Sequence, residues 1–375
     1  MPLVPLSGPA VTLMETLEAE RVEQADAQRA IDQFLRACSV LNAEDRQVQF
    51  DGLLSIVDEL PTGPACFLSV VCGALLEQGA WPGRMGEVIH RRLEEVLPQA
   101  SYLVRECQKR ELAKVPLQTT FANHAEEDAY FERVELVGVQ AFEEISNAHP
   151  MTRDAWNQMG ALWPACVALY SLDVAARVRG RAFLPVLEPL ASRHEGAHWL
   201  QKLLPVLDQE PLLVIDPTKQ TGITAQMSGV ADNFQLQTLL MDAFPRGWIE
   251  GRRVSQSAVD VAIGVGPQQT NETITGRWTF YQASALSPEG KLHSAQDKNS
   301  TPYRIRGEGS PSDILVIDGR RVILIGPASD KRTWPSVRLF RNLRASLNEV
   351  QVLDKAGVRD WIRQLTAHEG GHSSR

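Results

Sequence analysis

The chain has 375 residues, of which 43% are hydrophobic and 22% are charged, and its formal net charge at pH 7 is −8. This composition is typical of a soluble globular protein with two domains. The acidic balance argues against a protein that binds nucleic acid broadly along the phosphate backbone. Six basic residues nevertheless lie close together in sequence: Arg304, Arg306, Arg320, Arg321, Lys331 and Arg332. Because such runs are usually solvated faces, nucleic acid is not the expected partner.

The cysteines predict a reducing compartment. The chain contains five of them, an odd number, and no two have the C-x-x-C spacing of a metal or redox site. Cys66, Cys72 and Cys166 stand in apolar surroundings, so they are expected to be small buried hydrophobic residues rather than halves of disulfides. The sequence shows neither the pattern of a signal peptide nor an apolar run of membrane-spanning length. We therefore expect a cytoplasmic protein without membrane association.

The amino-terminal half is predicted to be helical. Residues 1–12 are spaced by proline and glycine and are expected to form a flexible arm. From residue 13 to residue 208, apolar residues recur at spacings of three and four, as Ala27, Ala30, Ile31 and Phe34 do. Gly- and Pro-containing turns divide this pattern into separate helices. The prediction is an all-α domain at 13–208, an irregular helical array with a solenoid as one arrangement.

The carboxy-terminal half, residues 209–366, is predicted to be an α+β domain with β-hairpins. Strands at 212–215 and 222–227 are close enough to pair as a hairpin. Asp318-Gly319 between two apolar runs is a strong signal for a second hairpin with a primed turn. Asp232 is placed to cap a helix at 233–244. Strands that follow one another this closely do not leave room for repeated βαβ crossovers.

The later elements are predicted from the same patterns. Residues 259–265 and 272–285 are rich in β-branched or aromatic residues, which favours strands. Residues 287–309 are polar and predict a long loop. The remaining predictions are a helix at 334–347, a strand at 349–353, a helix at 358–365 and a flexible tail at 367–375.

One short motif carries metal chemistry. His194-Glu195-x-x-His198 is similar to the zinc peptidase signature over these five residues. On a helix beginning near Pro189, His194 and His198 would share a face and hold a zinc ion, while Glu195 would activate a bound water. No spacing selects a third ligand among the downstream acidic residues. The alternative is that the two histidines lie on a buried stripe and bond to neighbouring groups of the protein.

Other motifs favour structural roles. His368 and His372 repeat the same letters around two glycines near the end of the chain, where we expect a frayed tail. The glycine-bearing turn at 306–313 is followed by a strand rather than by the helix that a phosphate cradle needs, so turn chemistry is expected. Trp278 and Phe280 would share one face of a strand with Tyr281 on the other, which is typical of core packing.

These observations lead to two main hypotheses of different classes, with small-molecule or nucleotide binding in the carboxy-terminal half as a third alternative. The first is a non-catalytic interaction or adaptor protein, with a helical scaffold, an α+β binding module, protein partners and no cofactor. The alternative is a zinc-dependent metallohydrolase with His194 and His198 as ligands and Glu195 as general base. The first is preferred because no convincing catalytic set can be assembled from the residues, and the sequence leaves open whether the protein is an enzyme.

Overall fold

A computed structural model of the chain describes residues 11, 13, 15, 24–244, 254–293, 303–328 and 331–372. The chain divides into two compact units, Met1–Leu204 and Pro205–Arg375, which we call the helical unit and the sheet unit. The first contains helices, and the second combines a mixed sheet with helices, so the predicted fold class is confirmed. The arm predicted at residues 1–12 lies outside the described residues except for Val11. No helix among the described residues is long and apolar enough to cross a membrane.

The helical unit is built from α-helices joined by short turns. In chain order, those of residues 24–204 are α1 (Gln24–Ser39), α2 (Ala43–Glu59), α3 (Thr62–Glu77), α4 (Met85–Lys114), α5 (His124–Ala148), α6 (Pro150–Leu172), α7 (Val174–Gly180), α8 (Leu184–Leu187) and α9 (Glu195–Leu203). Helix α6 packs against α3, α4, α5 and α9. Because several of these neighbours are distant in sequence, the array is irregular.

Polar side chains bond to the ends of α2, and a glycine in the core allows two helices to pack closely. The side chain of Asn42 caps the start of α2 by accepting a hydrogen bond from Asp45 N at 2.8 Å. The buried guanidinium of Arg92 donates to the carbonyls at the end of the same helix, those of Val57, Asp58 and Leu60. Gly73 lets α3 approach α6 closely, since a Cβ there would lie 2.9 Å from the Cα of Ala165.

The sheet unit contains eight strands and three α-helices among the described residues. They are β1 (Glu210–Asp216), β2 (Thr221–Ser228), α10 (Asn233–Ala243), α11 (Gln256–Ile263), β3 (Gln269–Thr275), β4 (Trp278–Tyr281), β5 (Val316–Ile317), β6 (Arg320–Pro327), β7 (Thr333–Val337), β8 (Ser346–Leu353) and α12 (Lys355–His372). The main sheet has the order β4-β6-β1-β2-β8, with β5 also paired to β6, while β3 and β7 form a separate pair. Strands β1 and β6 are parallel, and the other pairs are antiparallel.

The main sheet lies between two layers of apolar side chains. Leu212 and Val214 of β1 pack in the cluster that includes α10 and α11. Leu213 and Ile215, which point to the other face of the strand, pack with residues of α12. Burial on both faces explains why β1 is a continuous apolar run rather than an alternating one.

Several local predictions are confirmed. Strands β1 and β2 form the first predicted hairpin. The second turns at Asp318 and Gly319, both of which have positive φ, as a primed turn requires. The side chain of Asp232 accepts a hydrogen bond from Gln235 N at 2.7 Å and so caps α10. Ser310 and Asp313 form a capping box in the predicted turn.

Two predicted elements have the wrong type. Residues 259–265 belong mainly to helix α11, because Ser255 caps its start and Gly264, at φ 85°, ends it in the left-handed region. The helix predicted at 334–347 is instead strand β7, a turn and the start of β8. In β7 only Trp334 and Ser336 are buried, an alternation of period two that the helical pattern did not anticipate.

Two further boundaries differ from the prediction. The long strand predicted at 272–285 is broken after Thr275, and its halves β3 and β4 lie in different sheets. Gly276 at the break has no side chain, and a Cβ there would lie 2.8 Å from Gln237 Oε1. Helix α12 continues to His372, beyond residue 365, so it includes much of the tail predicted at 367–375.

Candidate functional site

The predicted zinc motif lies across a helix start. Helix α9 begins at Glu195, so the prediction of one helix from Pro189 that carries both histidines is wrong. Tight turns occupy the preceding residues, with Leu190 N donating to the carbonyl of Leu187 and Arg193 N donating to that of Leu190. His194 has extended backbone angles and is the N-cap, where its Nδ1 accepts a hydrogen bond from Ala197 N at 3.4 Å.

The three side chains of the motif have different surroundings. The ring of His194 is buried and meets Trp156 edge-on, with the ring centroids 4.7 Å apart. His198 and Glu195 are exposed, and Glu195 Oε1 accepts a hydrogen bond from Trp199 Nε1 at 3.4 Å. Capping and ring packing account for His194 as a structural residue.

No group of three His, Cys, Asp or Glu side chains is arranged to hold a metal ion in the part of the chain that the structure describes. The side chains of His368 and His372 lie outside the described residues. Zinc binding by His194 and His198 therefore stays a prediction. If it is correct, elemental analysis of protein purified without chelator will find one zinc per chain, and the H198A variant will lose it.

Protonation of His194 is expected to destabilise the helical unit. Burial lowers the pKa of this imidazole below its ordinary value of 6.5, while a hydrogen bond to the Trp156 backbone and the nearby Glu195 carboxylate act in the opposite direction. The unfolded chain thus binds a proton at a pH where the folded chain does not. The resulting stability is present above pH 6.5 and is lost as the pH falls through that value toward the lowered folded pKa.

Urea unfolding of the wild type and of His194→Asn, followed by circular dichroism at about pH 7.5 and about pH 5, measures this effect. Asn keeps a capping side chain but does not titrate. We expect the midpoint of the variant to change less between the two pH values. An equal change in both proteins would contradict the role assigned to His194.

A second candidate site is a pocket in the sheet unit, which we call the arginine pocket. Its cavity has a volume of about 230 Å³. The residues that line it are Asn233, Phe234, Gln237, Gly276, Trp278, Thr279, Phe280, Arg304, Ile305, Arg306, Gly307, Ala328, Arg332 and Trp334. They come from α10, β4, β7, the segment before β5 and the turns that precede β4 and β7, so distant parts of the sequence meet here.

Aromatic rings line part of the pocket. Phe234 and Trp334 are stacked, with their centroids 4.9 Å apart and their planes at 29°. The indole of Trp334 is held in place because its Nε1 donates to Thr238 Oγ1 at 3.3 Å. Trp278 and Phe280 add apolar surface from β4, on the face opposite to Tyr281 as predicted. Stacked rings of this kind bind planar groups well.

A loop docks on the start of helix α10 and brings Arg306 to the pocket. Asn233 N donates to the carbonyl of Gly309 at 3.1 Å, and Phe234 N donates to that of Gly307 at 3.0 Å. Gly307 is needed for this approach, since a Cβ there would lie 2.2 Å from Phe234 Cε1. The first N–H groups of the helix are thus bonded to the loop, and the ligand chemistry of the pocket comes from side chains.

Two buried amides present unsatisfied oxygen atoms. Asn233 is 2% exposed and Gln237 is 8% exposed. The nitrogen of each amide donates to a carbonyl oxygen, that of Arg306 at 2.8 Å and that of Trp278 at 3.2 Å. These bonds fix the orientation of each amide, with its oxygen turned away from the carbonyl that its nitrogen contacts. The remaining atoms, Asn233 Oδ1 and Gln237 Oε1, are buried and have no hydrogen-bond partner, which is unusual for polar atoms in a folded protein.

The charged residues that line the pocket are three arginines, Arg304, Arg306 and Arg332, without an acidic residue. The guanidinium of Arg332 lies 4.9 Å from the centroid of the Phe234 ring and forms an ion pair of 2.5 Å with Glu308. Partial burial tends to raise the pKa of Glu308. Its hydrogen bonds and the guanidiniums of Arg332 and Arg306 outweigh that effect, so the pKa lies below its ordinary value. The pocket therefore favours anions.

The residues of this site are visible in the sequence, but the sequence does not predict that they lie close together in space. The basic residues, the glycine-bearing turn and the aromatic strand lie at separate points of the sequence. Arg321, from the same basic set, instead pairs with Glu210 at 2.8 Å. Asn233 and Gln237 gave no signal beyond a polar helix start.

Comparison of the chain with family models, with curated proteins and with solved structures finds no match in any of the three. The interpretation of the pocket therefore depends on its own geometry and chemistry.

Proposed function

We propose that the protein is a non-catalytic binding protein whose α+β module holds a small anionic ligand in the arginine pocket. The ligand class that matches the lining is a planar ring that carries N–H groups together with a phosphate or carboxylate. The observation that carries the proposal is the pair of buried acceptor atoms, Asn233 Oδ1 and Gln237 Oε1, beside stacked rings and three guanidiniums.

Each part of the lining supplies one element of recognition. Guanidiniums donate paired hydrogen bonds to carboxylate and phosphate oxygens. The two amide oxygens accept hydrogen bonds from N–H groups of the ligand, which removes the cost of leaving them unpaired, about 1–3 kcal/mol each. Aromatic rings that line the pocket, those of Trp278, Phe280 and Trp334, pack against the planar part. These groups hold and orient a ligand through hydrogen bonds and ring contacts, which supports binding rather than catalysis.

The pocket is expected to bind 4-aminophenyl phosphate, a probe with all three features. Quenching of tryptophan fluorescence reports binding, because Trp278 and Trp334 line the pocket; calorimetry gives the affinity. Phenyl phosphate lacks the N–H groups, aniline lacks the anion, and 4-aminobenzoate replaces phosphate by carboxylate. We expect phenyl phosphate and aniline to bind more weakly than 4-aminophenyl phosphate, and the carboxylate arm to show which anion the pocket prefers.

The double variant Arg306→Gln/Arg332→Gln should raise the Kd for 4-aminophenyl phosphate at least about tenfold, because each charged hydrogen bond contributes about 1.5–3 kcal/mol. Arg320→Gln is the matched control, since Arg320 also lies near an aromatic ring, at 6.0 Å from that of Trp361, but does not line the pocket. If neither anion binds, or if the control weakens binding as much as the double variant does, the proposal is wrong.

As part of the same proposal, the helical unit is a scaffold for a protein partner, and the protein acts as an adaptor in the cytoplasm. All five cysteines are free and buried. Burial raises the pKa of Cys66 to about 11 and that of Cys72 to about 12, which makes both thiols poor nucleophiles. These properties support a reducing environment.

A further inference from the structure

An apolar groove crosses the surface of the helical unit between α4 and α5. Its volume is about 550 Å³. The residues that line it are Val104, Cys107, Glu111, Val134, Glu135, Gly138, Val139, Phe142, Trp156, Ser192 and Arg193. Val139, which lines the groove, is 58% exposed, and Leu136 and Leu112, which are next in sequence to the lining residues Glu135 and Glu111, are each 59% exposed. Large apolar side chains that are exposed in a groove and next to it are typical of an interaction site.

The floor of the groove is fixed by an ion pair. Arg193 donates to both carboxylate oxygens of Glu111, with Nη1 at 2.7 Å from Oε1. Gly138 of α5 makes room for the pair, since a Cβ at this position would lie 2.7 Å from Glu111 Oε1. A bidentate pair holds both side chains in one geometry. The groove is therefore a preformed surface rather than a gap between mobile side chains.

Helix α5, which forms one wall, is strongly acidic. It carries seven acidic residues and one arginine. Asp128, Glu132 and Glu135 are exposed and have no ion-pair partner among the described residues. Their spacings of four and three place them on one face, beside Leu136 and Val139. Like charges at these spacings destabilise a helix by about 0.2–0.5 kcal/mol per pair, a cost that a basic ligand offsets.

We propose that this surface, which we call the acidic groove, docks an amphipathic helix of a partner protein that carries Lys or Arg beside its apolar face. A helix laid in a groove buries apolar residues at positions i, i+3, i+4 and i+7. Basic residues flanking that stripe would face Asp128, Glu132 and Glu135. The chain's own residues 1–23 contain four glutamates and one arginine, so their charge does not match.

A fluorescein-labelled synthetic peptide of about 18 residues, with Leu on one helical face and Lys elsewhere, is the probe; the length gives about five helical turns. A second peptide replaces every Lys by Glu. Fluorescence anisotropy with the full chain should show that the Lys peptide binds at least about tenfold more tightly than the Glu peptide. Equal binding of both peptides, or binding of neither, would overturn the proposal.

Two variants locate the binding surface. Val139→Lys places a charge in the groove, and Glu132→Lys/Glu135→Lys reverses the charge of its wall; each should weaken binding of the Lys peptide at least about tenfold. Val40→Lys and Glu44→Lys/Glu59→Lys are matched controls, because Val40 is 83% exposed and both glutamates are exposed on α2, outside the groove. Circular dichroism checks that each variant is folded. Weakening by the controls alone, or by neither set, would contradict the location.

The failure of this inference is distinguishable from that of the proposed function, since the groove variants should leave binding of 4-aminophenyl phosphate unchanged. An unlabelled peptide of residues 1–23 is a further arm. We expect it not to displace the Lys peptide; displacement would identify the chain's own segment as the occupant and overturn the proposal of a basic partner.

Discussion

Gly229→Ala is expected to destabilise the sheet unit by at least about 3 kcal/mol, the sum of a left-handed backbone cost and an overpacking cost. Gly229 follows β2 with φ 66°, where alanine is unfavourable. Its N–H donates to the carbonyl of Leu207 at 2.8 Å, so the backbone cannot easily turn away. A Cβ at this position would lie 1.8 Å from the carbonyl oxygen of Arg344, which is a backbone atom.

Gly319→Ala is a matched control because Gly319 also has a positive φ, 72°, but nothing lies within 4 Å of the Cβ that would be added. It should cost about 1 kcal/mol, the conformational part alone. Thermal unfolding followed by circular dichroism compares the two variants. For a unit of this size, the loss in Gly229→Ala corresponds to a melting temperature lower by about 6–12 °C. Similar losses in the two variants would contradict the assigned clash.

Local patterns in the sequence predicted much of the fold. The change from helical to strand periodicity near residue 210 and the Asp318-Gly319 turn are local signals, and the structure has both. The strand predicted at 259–265 was wrong because β-branched apolar residues suit a buried helix as well as a strand. Caps at Ser255 and Gly264 decided in favour of the helix.

The candidate site was less predictable for a different reason. Asn233 and Gln237 are ordinary helix residues in sequence, and their unsatisfied oxygens exist only because Arg306 and Trp278, distant in the chain, take the amide nitrogens. His194 shows the opposite case. The letters of a zinc motif are present, but the helix starts at Glu195, one residue after His194, and the His194 imidazole is buried against Trp156.

Contacts of the segment between β7 and β8 explain why residues 334–347 do not form the predicted helix. The side chain of Arg338 is buried and donates to backbone carbonyls: to Val261 at 3.2 Å, to Gly266 at 3.1 Å, to Pro267 at 2.9 Å, and twice to Arg341. One guanidinium thus ties the turn to the end of α11. Sequence periodicity carries no information about such contacts, because the acceptors are main-chain atoms.

Arg338→Met is expected to destabilise the sheet unit by about 3–5 kcal/mol, because it leaves buried carbonyls without a charged donor. Burial and the neighbouring Arg344 and Arg341 lower the pKa of Arg338 from 12.5, so removing Arg341 should not harm it. Arg341→Met is therefore the control, with an expected change within about 0.5 kcal/mol for an exposed residue.

Hydrogen exchange measured by mass spectrometry shows whether Arg338→Met loses stability locally or throughout the sheet unit. In Arg338→Met, amides of α11 and of β7 should exchange faster than in the control, since Arg338 joins the two elements. Trp334, which forms the wall of the arginine pocket, lies on β7. Binding of 4-aminophenyl phosphate should therefore weaken in Arg338→Met although Arg338 does not line the pocket. Faster exchange confined to other elements would show that Arg338 does not hold this turn.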